Sequence, residues 1–309
     1  MDEKDTSLSI VPAPDAALVA TFTHEFNFEG EKGTYEIFSI GGKPLVEATT
    51  YNLVVAKIPS GQYGLVMIAS KPDYNYLIEK QAHILATLQE VAAAENDAKI
   101  KPNYGAFFPN MIEVMSTEED PPRVGVIMGY DSVITSYKQL VPLSVALKGQ
   151  RVDLQTGLWL LGKYLKLLDF VHANGFTIGF VDDTNWLIET ALHGVFVLNF
   201  FEALEKDVVD EERAKDVISA ANIVWHAVGG TEGNDPPYDE SIMSKEGYDE
   251  FVIVLKRMMS GDVKSAGEEM TALYEMADRI WERLPDPGGW TEDGKKRPFH
   301  EWVTYPVTE

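Results

Sequence analysis

The sequence predicts an α+β chain in two lobes, a small antiparallel sheet lobe holding one helix and a larger, mainly helical lobe. Three observations carry this. Between Thr21 and Met128, apolar and polar residues form short runs broken by Gly and Pro, with a single helical interruption. From Asp153 onward, apolar residues recur at helical spacing over long segments. The pattern changes at Gly129-Tyr130-Asp131-Ser132, which sets a lobe boundary within Gly129 to Ser136.

In the first lobe, Phe22, Phe26 and Phe28, then Tyr35, Ile37 and Ile40, give extended segments up to the break at Gly41-Gly42-Lys43-Pro44. Tyr51 to Ile58 and Tyr63 to Ala69 are strands joined by Pro59-Ser60-Gly61-Gln62, a connection with hairpin chemistry. Leu65-Val66-Met67-Ile68-Ala69 is apolar throughout and reads as a central strand. Pro72-Asp73-Tyr74-Asn75 opens a helix with Leu77, Ile84, Leu85 and Leu88 on one side and Glu79, Lys80 and Gln89 on the other. Met111 to Met115 and Val124 to Met128 complete the sheet, separated by the acidic, proline-stopped turn Glu118 to Pro122.

In the second lobe, Asp153 caps a long apolar helix that ends at Asn174-Gly175. A loop follows, then short strands at Trp186 to Ile188 and Val195 to Leu198. Asp216 to Val228 is an apolar helix stopped by Gly229-Gly230, and two amphipathic helices cover Tyr248 to Met259 and Glu268 to Leu284. The expected organisation is an N-terminal tail over 1–20, read as mobile, lobes over 21–130 and 131–284, and a tail over 285–309 packed on the second lobe.

Composition removes several function classes. The sequence has no cysteine, which excludes disulfides, thiolate metal sites and cysteine catalysis. A net charge of −23 argues against direct nucleic-acid binding, which needs a basic surface. An acidic or salt-adapted proteome accounts for that charge most simply. The alternatives are a surface that steers basic partners and a carboxylate mimic of nucleic acid, which the many core-forming segments confine to the surface. The most apolar helix carries Lys163, Lys166 and Asp169, so it reads as a core helix rather than a membrane span. The N-terminus lacks an apolar signal core, and cytoplasmic residence is the expectation. The histidines are scattered without metal-ligand spacing, and no Walker loop, dinucleotide fingerprint or G-x-S-x-G occurs.

The stretch from Leu167 to Leu204 carries the most information. Helix, irregular loop, strand, turn and strand in this order resemble the catalytic-loop and metal-loop region of the protein kinase-like superfamily, as found in bacterial and phage Ser/Thr kinase-like proteins. The kinase H-R-D falls on Ile178-Gly179-Phe180, and the asparagine that follows four residues later falls on Asn185. D-F-G falls on Asn199-Phe200-Phe201, and the aspartate that opens a buried helix falls on Asp216. In the first lobe, Pro72 to Ala82 resembles the lead into the regulatory helix. The family's helix glutamate then falls on Gln81 and its strand lysine on Met67, with Lys71 a competing candidate beyond the strand.

The resemblance implies a bilobal kinase-like fold and, through these departures, a degenerate site. Phosphoryl transfer rests on charge neutralisation by lysine and metal ions and on an aspartate that orients the hydroxyl. Met67 carries no charge, Phe180 accepts no proton, and Asn199 offers a metal only a neutral oxygen. The implied protein is a pseudokinase, non-catalytic, with no required cofactor and no metal, that binds a protein partner, a basic one being favoured by charge. Residual ATP and Mg²⁺ binding would rest on Asn185, Asn199, Asp182 and Asp183. The alternative is a diverged phosphotransferase using Asp182 or Asp183 with Asn185 and Asn199. Asp216 is expected to be structural, an acceptor for backbone amides of the degraded loop, and His172 a capping or packing residue. Loop satisfaction for Asn185 and Asn199, and a solvated loop for Asp182 and Asp183, are the plainer readings.

Overall fold

The computed structural model describes residues 22–61, 63–96, 108–129, 140–179, 185–189, 194–205, 209–240, 244–281 and 304–306. The expected N-terminal tail, Phe180, Asp182 and Asp183 lie outside them. The chain divides into two compact units, one made of Met1–Leu140 with Phe196–Phe201, the other of Val141–Val195 with Glu202–Glu309. The division therefore falls later than the sequence pattern places it, and the first unit takes back a segment from beyond its end. The reason is side-chain chemistry on its helix, described below.

The first unit is an antiparallel sheet in the order β1-β2-β4-β5-β7-β6, with β3 paired to β4. These strands are β1 (Phe22–Gly30), β2 (Gly33–Ile40), β3 (Val46–Glu47), β4 (Tyr51–Lys57), β5 (Tyr63–Ala69), β6 (Asn110–Ser116) and β7 (Val124–Gly129). Apolar residues run continuously along β4 and β5 because both faces of the sheet centre are covered. On one face lies helix α1 (Asn75–Asn96), which buries Ile78, Gln81, Ile84, Leu85 and Leu88 completely. On the other, Tyr35, Ile37, Val54, Ala56, Val66, Ile68, Met115 and Ile127 form a second apolar layer with Phe26 and Phe28 packed against it. Glu113 on β6 closes this layer. Its carboxylate accepts from the Glu31 amide at 2.6 Å and the Tyr35 hydroxyl at 2.5 Å, drawing the β1–β2 hairpin over the far edge of the sheet. Burial, and then the Glu113 carboxylate, hold the Tyr35 phenol well above its usual range.

The second unit is built on α3 (Leu154–Ala173), apolar on nearly every side, as befits a helix surrounded by others. Asp153 caps it, accepting from the Thr156 amide at 2.6 Å. Around it lie α4 (Asp210–Ala227), α5 (Lys245–Met259) and α6 (Ala266–Trp281). Gly157 lets the end of α4 come close, since a Cβ there would lie 2.3 Å from a Val228 methyl. Helix α4 begins a turn and a half earlier than apolar periodicity suggests. Asp210, Glu211 and Glu212 occupy its first turn, where carboxylates favour the helix dipole. Arg257 of α5 makes a two-pronged ion pair with Glu269 of α6, whose carboxylate also receives the Lys264 amide.

Short elements complete the topology: β8 (Leu140–Pro142), α2 (Leu143–Ala146), β9 (Gln150–Val152), β10 (Trp186–Glu189), β11 (Gly194–Val197) and β12 (Thr304–Pro306). Strands β11, β10 and β8 form a three-stranded sheet. Near the C-terminal end, β12 pairs antiparallel with β9, matching Thr304 to Val152 and Pro306 to Gln150. Among the described residues, no helix is long and apolar enough to cross a membrane.

Candidate functional site

The residues singled out from the sequence fall into two clusters, one in each unit. In the second unit, Phe176 to Gly179 leave the end of α3 and run beside Glu202 to Glu205. The Thr177 amide donates to Leu204 O at 3.0 Å, and the Leu204 amide donates to the Thr177 hydroxyl at 2.9 Å. An antiparallel bridge joins Phe176 to Glu205. Asp216, fully buried on α4, lies beneath this loop. It accepts from the Ile178 amide at 2.8 Å and the Gly179 amide at 2.9 Å, and His172 Nε2 lies 2.8 Å from its Oδ2. A buried carboxylate with three such neighbours is fully occupied in holding the loop.

Gly179 is shaped by the same packing. Its φ is +88°, and a Cβ would sit 2.4 Å from the Glu202 carbonyl carbon and oxygen. Only glycine fits there, on both steric and conformational grounds. The resemblance would place an arginine at this position, where this chain's backbone admits only glycine.

The second cluster lies within the first unit. Met67, on β5, has no exposed surface and faces Val126 across the strand pair. Gln81, also fully buried, reaches the Phe196–Phe201 segment with both ends of its amide. Its Oε1 accepts from the Phe200 amide at 2.7 Å, and its Nε2 donates to Leu198 O at 3.1 Å. From the preceding residue, Lys80 Nζ donates to Phe201 O at 2.8 Å. The Phe201 ring meets Tyr51 edge-on at 5.4 Å. These bonds are why Phe196–Phe201 belongs to the first unit.

Asn185 is buried at the start of β10. Asn199 is half-buried, and its side-chain oxygen lies 3.4 Å from the Phe201 amide nitrogen, a long contact. Sequence reasoning treated Gln81 as the place of a lost glutamate and gave no part to Lys80, Thr177 or Leu198. A signal was present at Gln81: an amide can both donate and accept, whereas the residue it replaces can only accept when ionised.

A double mutant of the PknI kinase domain of Mycobacterium tuberculosis matches with a TM-score of 0.52 at 14% sequence identity, over 82% of this chain and 99% of that one. This chain has the protein kinase-like fold. A further crystal structure of that kinase domain gives a TM-score of 0.49, also at 14% identity, over 82% of this chain and 99% of that one. No protein-family model and no curated protein matches the chain. The fold likeness takes in most of the chain, and the sheet of the first unit runs in the order β1-β2-β4-β5-β7-β6.

Proposed function

We propose that this chain is a pseudokinase, a kinase-like protein that has given up phosphoryl transfer and acts as a protein-binding regulatory module. The observation that carries the reading is the Gln81 amide, whose donor and acceptor are both engaged by the backbone at Leu198 and Phe200. In an active site of this fold, a carboxylate there would pair with the strand lysine, and the segment after it would hold a metal. Here the strand offers a fully buried thioether, Met67, which suits a core and neutralises no phosphate. Asn199 supplies a neutral oxygen where the register asks for a carboxylate. Residues of these kinds do not fit a magnesium nucleotide.

Two measurements on the full chain test this. Melting temperature is followed with ATP and Mg²⁺, since a ligand that binds only the folded state raises it by mass action. In parallel, the chain is incubated with labelled ATP and a mixed protein substrate. The proposal expects no metal-dependent rise and no transfer of label. Label transfer abolished by Asp182→Asn or Asp183→Asn would overturn it in favour of a diverged phosphotransferase working with Asn185 and Asn199.

A further inference from the structure

We infer that the groove beside Gly179 in the second unit docks an extended segment of a partner protein, one that presents an arginine flanked by apolar residues. The inference rests on the protein-binding reading above and supplies the partner's chemistry. The groove encloses about 400 Å³ between the Thr177–Gly179 loop, Glu202 and Leu204 on one side, and Glu212, Lys215 and Ser219 of α4 on the other.

Three features shape that assignment. The first is rigidity. The floor is tied by the reciprocal Thr177–Leu204 hydrogen bonds and the two amides held by Asp216, and Gly179 packs directly on the Glu202 backbone. A pre-formed groove loses little conformational freedom when a segment binds.

The second is an apolar lip. Leu204 lines the groove and is 44% exposed, one of few large apolar side chains among the described residues so open to solvent.

The third is charge. Asp216 is consumed by the loop, and Glu212 is engaged by Lys215 at 2.6 Å, but the exposed Glu202 carboxylate has no hydrogen bond or ion pair among the described residues. Glu211 stands nearby in the first turn of α4. A groove with an apolar lip and an exposed carboxylate complements a guanidinium between apolar neighbours. Arginine suits it better than lysine because its planar fork is weakly hydrated and can engage a carboxylate through two parallel bonds. A net charge of −23 steers a cationic segment in and keeps polyphosphates out.

The probe is the blocked peptide acetyl-Ala-Leu-Arg-Leu-Ala-amide, compared with the same peptide carrying citrulline, which keeps the shape and removes the charge. Amide chemical shifts of the full chain are followed by NMR. The arginine peptide is expected to move Thr177, Gly179, Leu204 and Ser219 and to bind about tenfold more tightly than the citrulline peptide. Glu202→Gln and Leu204→Ser should each weaken it by a similar factor without lowering the melting temperature, both side chains being exposed. Ile253→Ser, a more exposed apolar site on α5, should change nothing. Equal binding of the two peptides, shifts confined to other surfaces, or an unaffected Glu202→Gln variant would overturn the inference. The same samples are assayed with labelled ATP. Peptide failure without label transfer removes the groove and leaves the non-catalytic reading, whereas label transfer removes that reading whatever the peptide does.

Discussion

Gln81 and Phe200 are 119 residues apart in sequence and joined by a hydrogen bond of 2.7 Å in the core. The same side chain donates to the carbonyl of Leu198, so a single amide satisfies two backbone groups that face each other across it. Only a group that donates at one end and accepts at the other can do this. The segment is thus tied to α1 at both ends of one side-chain amide.

Gln81→Ala should cost about 2–4 kcal/mol, because it leaves a buried N–H and a buried C=O unmatched and opens a cavity. Gln81→Glu is the sharper test. An ionised carboxylate can accept from Phe200 but turns a second oxygen toward Leu198 O, whereas the protonated acid can serve both. Its folded-state affinity for the proton should therefore exceed the unfolded one, and the penalty should shrink as pH falls. Thermal melts of both proteins from about pH 8 down to about pH 5 check this; a penalty that stays constant over the range would refute the donor argument.

Gly179→Ala should destabilise by about 2 kcal/mol or more, from positive φ and the clash with Glu202. Restoring the family residues at 178–180 as His, Arg and Asp should be worse than that single change, since the arginine must occupy the glycine's place. Urea unfolding of both variants would show it. A triple variant as stable as the parent would mean that the loop can accommodate a side chain at position 179.

Asp216→Ala should cost about 3–5 kcal/mol, since it strands the Ile178 and Gly179 amides and the His172 ring in the core. Asp216→Asn should cost less, about 2 kcal/mol, because one oxygen still accepts while the new amide group faces donors. Hydrogen exchange at Ile178 and Gly179 separates this from general loosening: those two amides should lose protection before the body of α3 does.

Lys163 on α3 is pressed to a pKa of about 8 by burial and then by the neighbouring Lys166 charge. Folding therefore disfavours its charged form. Below about 8 the full penalty applies, and above the unfolded value of 10.5 neither state is charged and the penalty vanishes. Relative to Lys163→Met, the parent should gain stability as pH rises between these values. At neutral pH the methionine variant should be more stable by about 1–3 kcal/mol. Denaturation of both proteins at neutral and alkaline pH gives the difference curve, and a flat curve would show that the ammonium group finds water.

Much of the fold was legible because its signals are local. The alternation along β2, the continuous apolar run of β5 and the Asp153 cap each need only neighbouring residues. The ends of α4 were not, because Asp210 to Glu212 stabilise that first turn by charge at the helix terminus and leave no apolar period to read. The site divides in the same way. Asp216 could be singled out only through the resemblance, and the fold shows it accepting from the Ile178 and Gly179 amides. The engagement of Gln81 with Leu198 and Phe200 has no local signature, because nothing near position 81 indicates which distant backbone will come to meet it. Gly179 lies between these cases: a glycine in place of an arginine can be read as a loss, and only its φ and the Glu202 backbone explain why it must be glycine.

The membership of Phe196–Phe201 in the first unit bears on how the protein is made. A ribosome releases β1 through β7 well before it reaches that segment, and most of α3 emerges in between. Until Leu198 and Phe200 arrive, the amide of Gln81 has no partner, and the first lobe waits with a polar gap against its helix. A chain stopped near residue 140 would therefore not be a finished domain, and the first lobe completes its core only after the second is well under way.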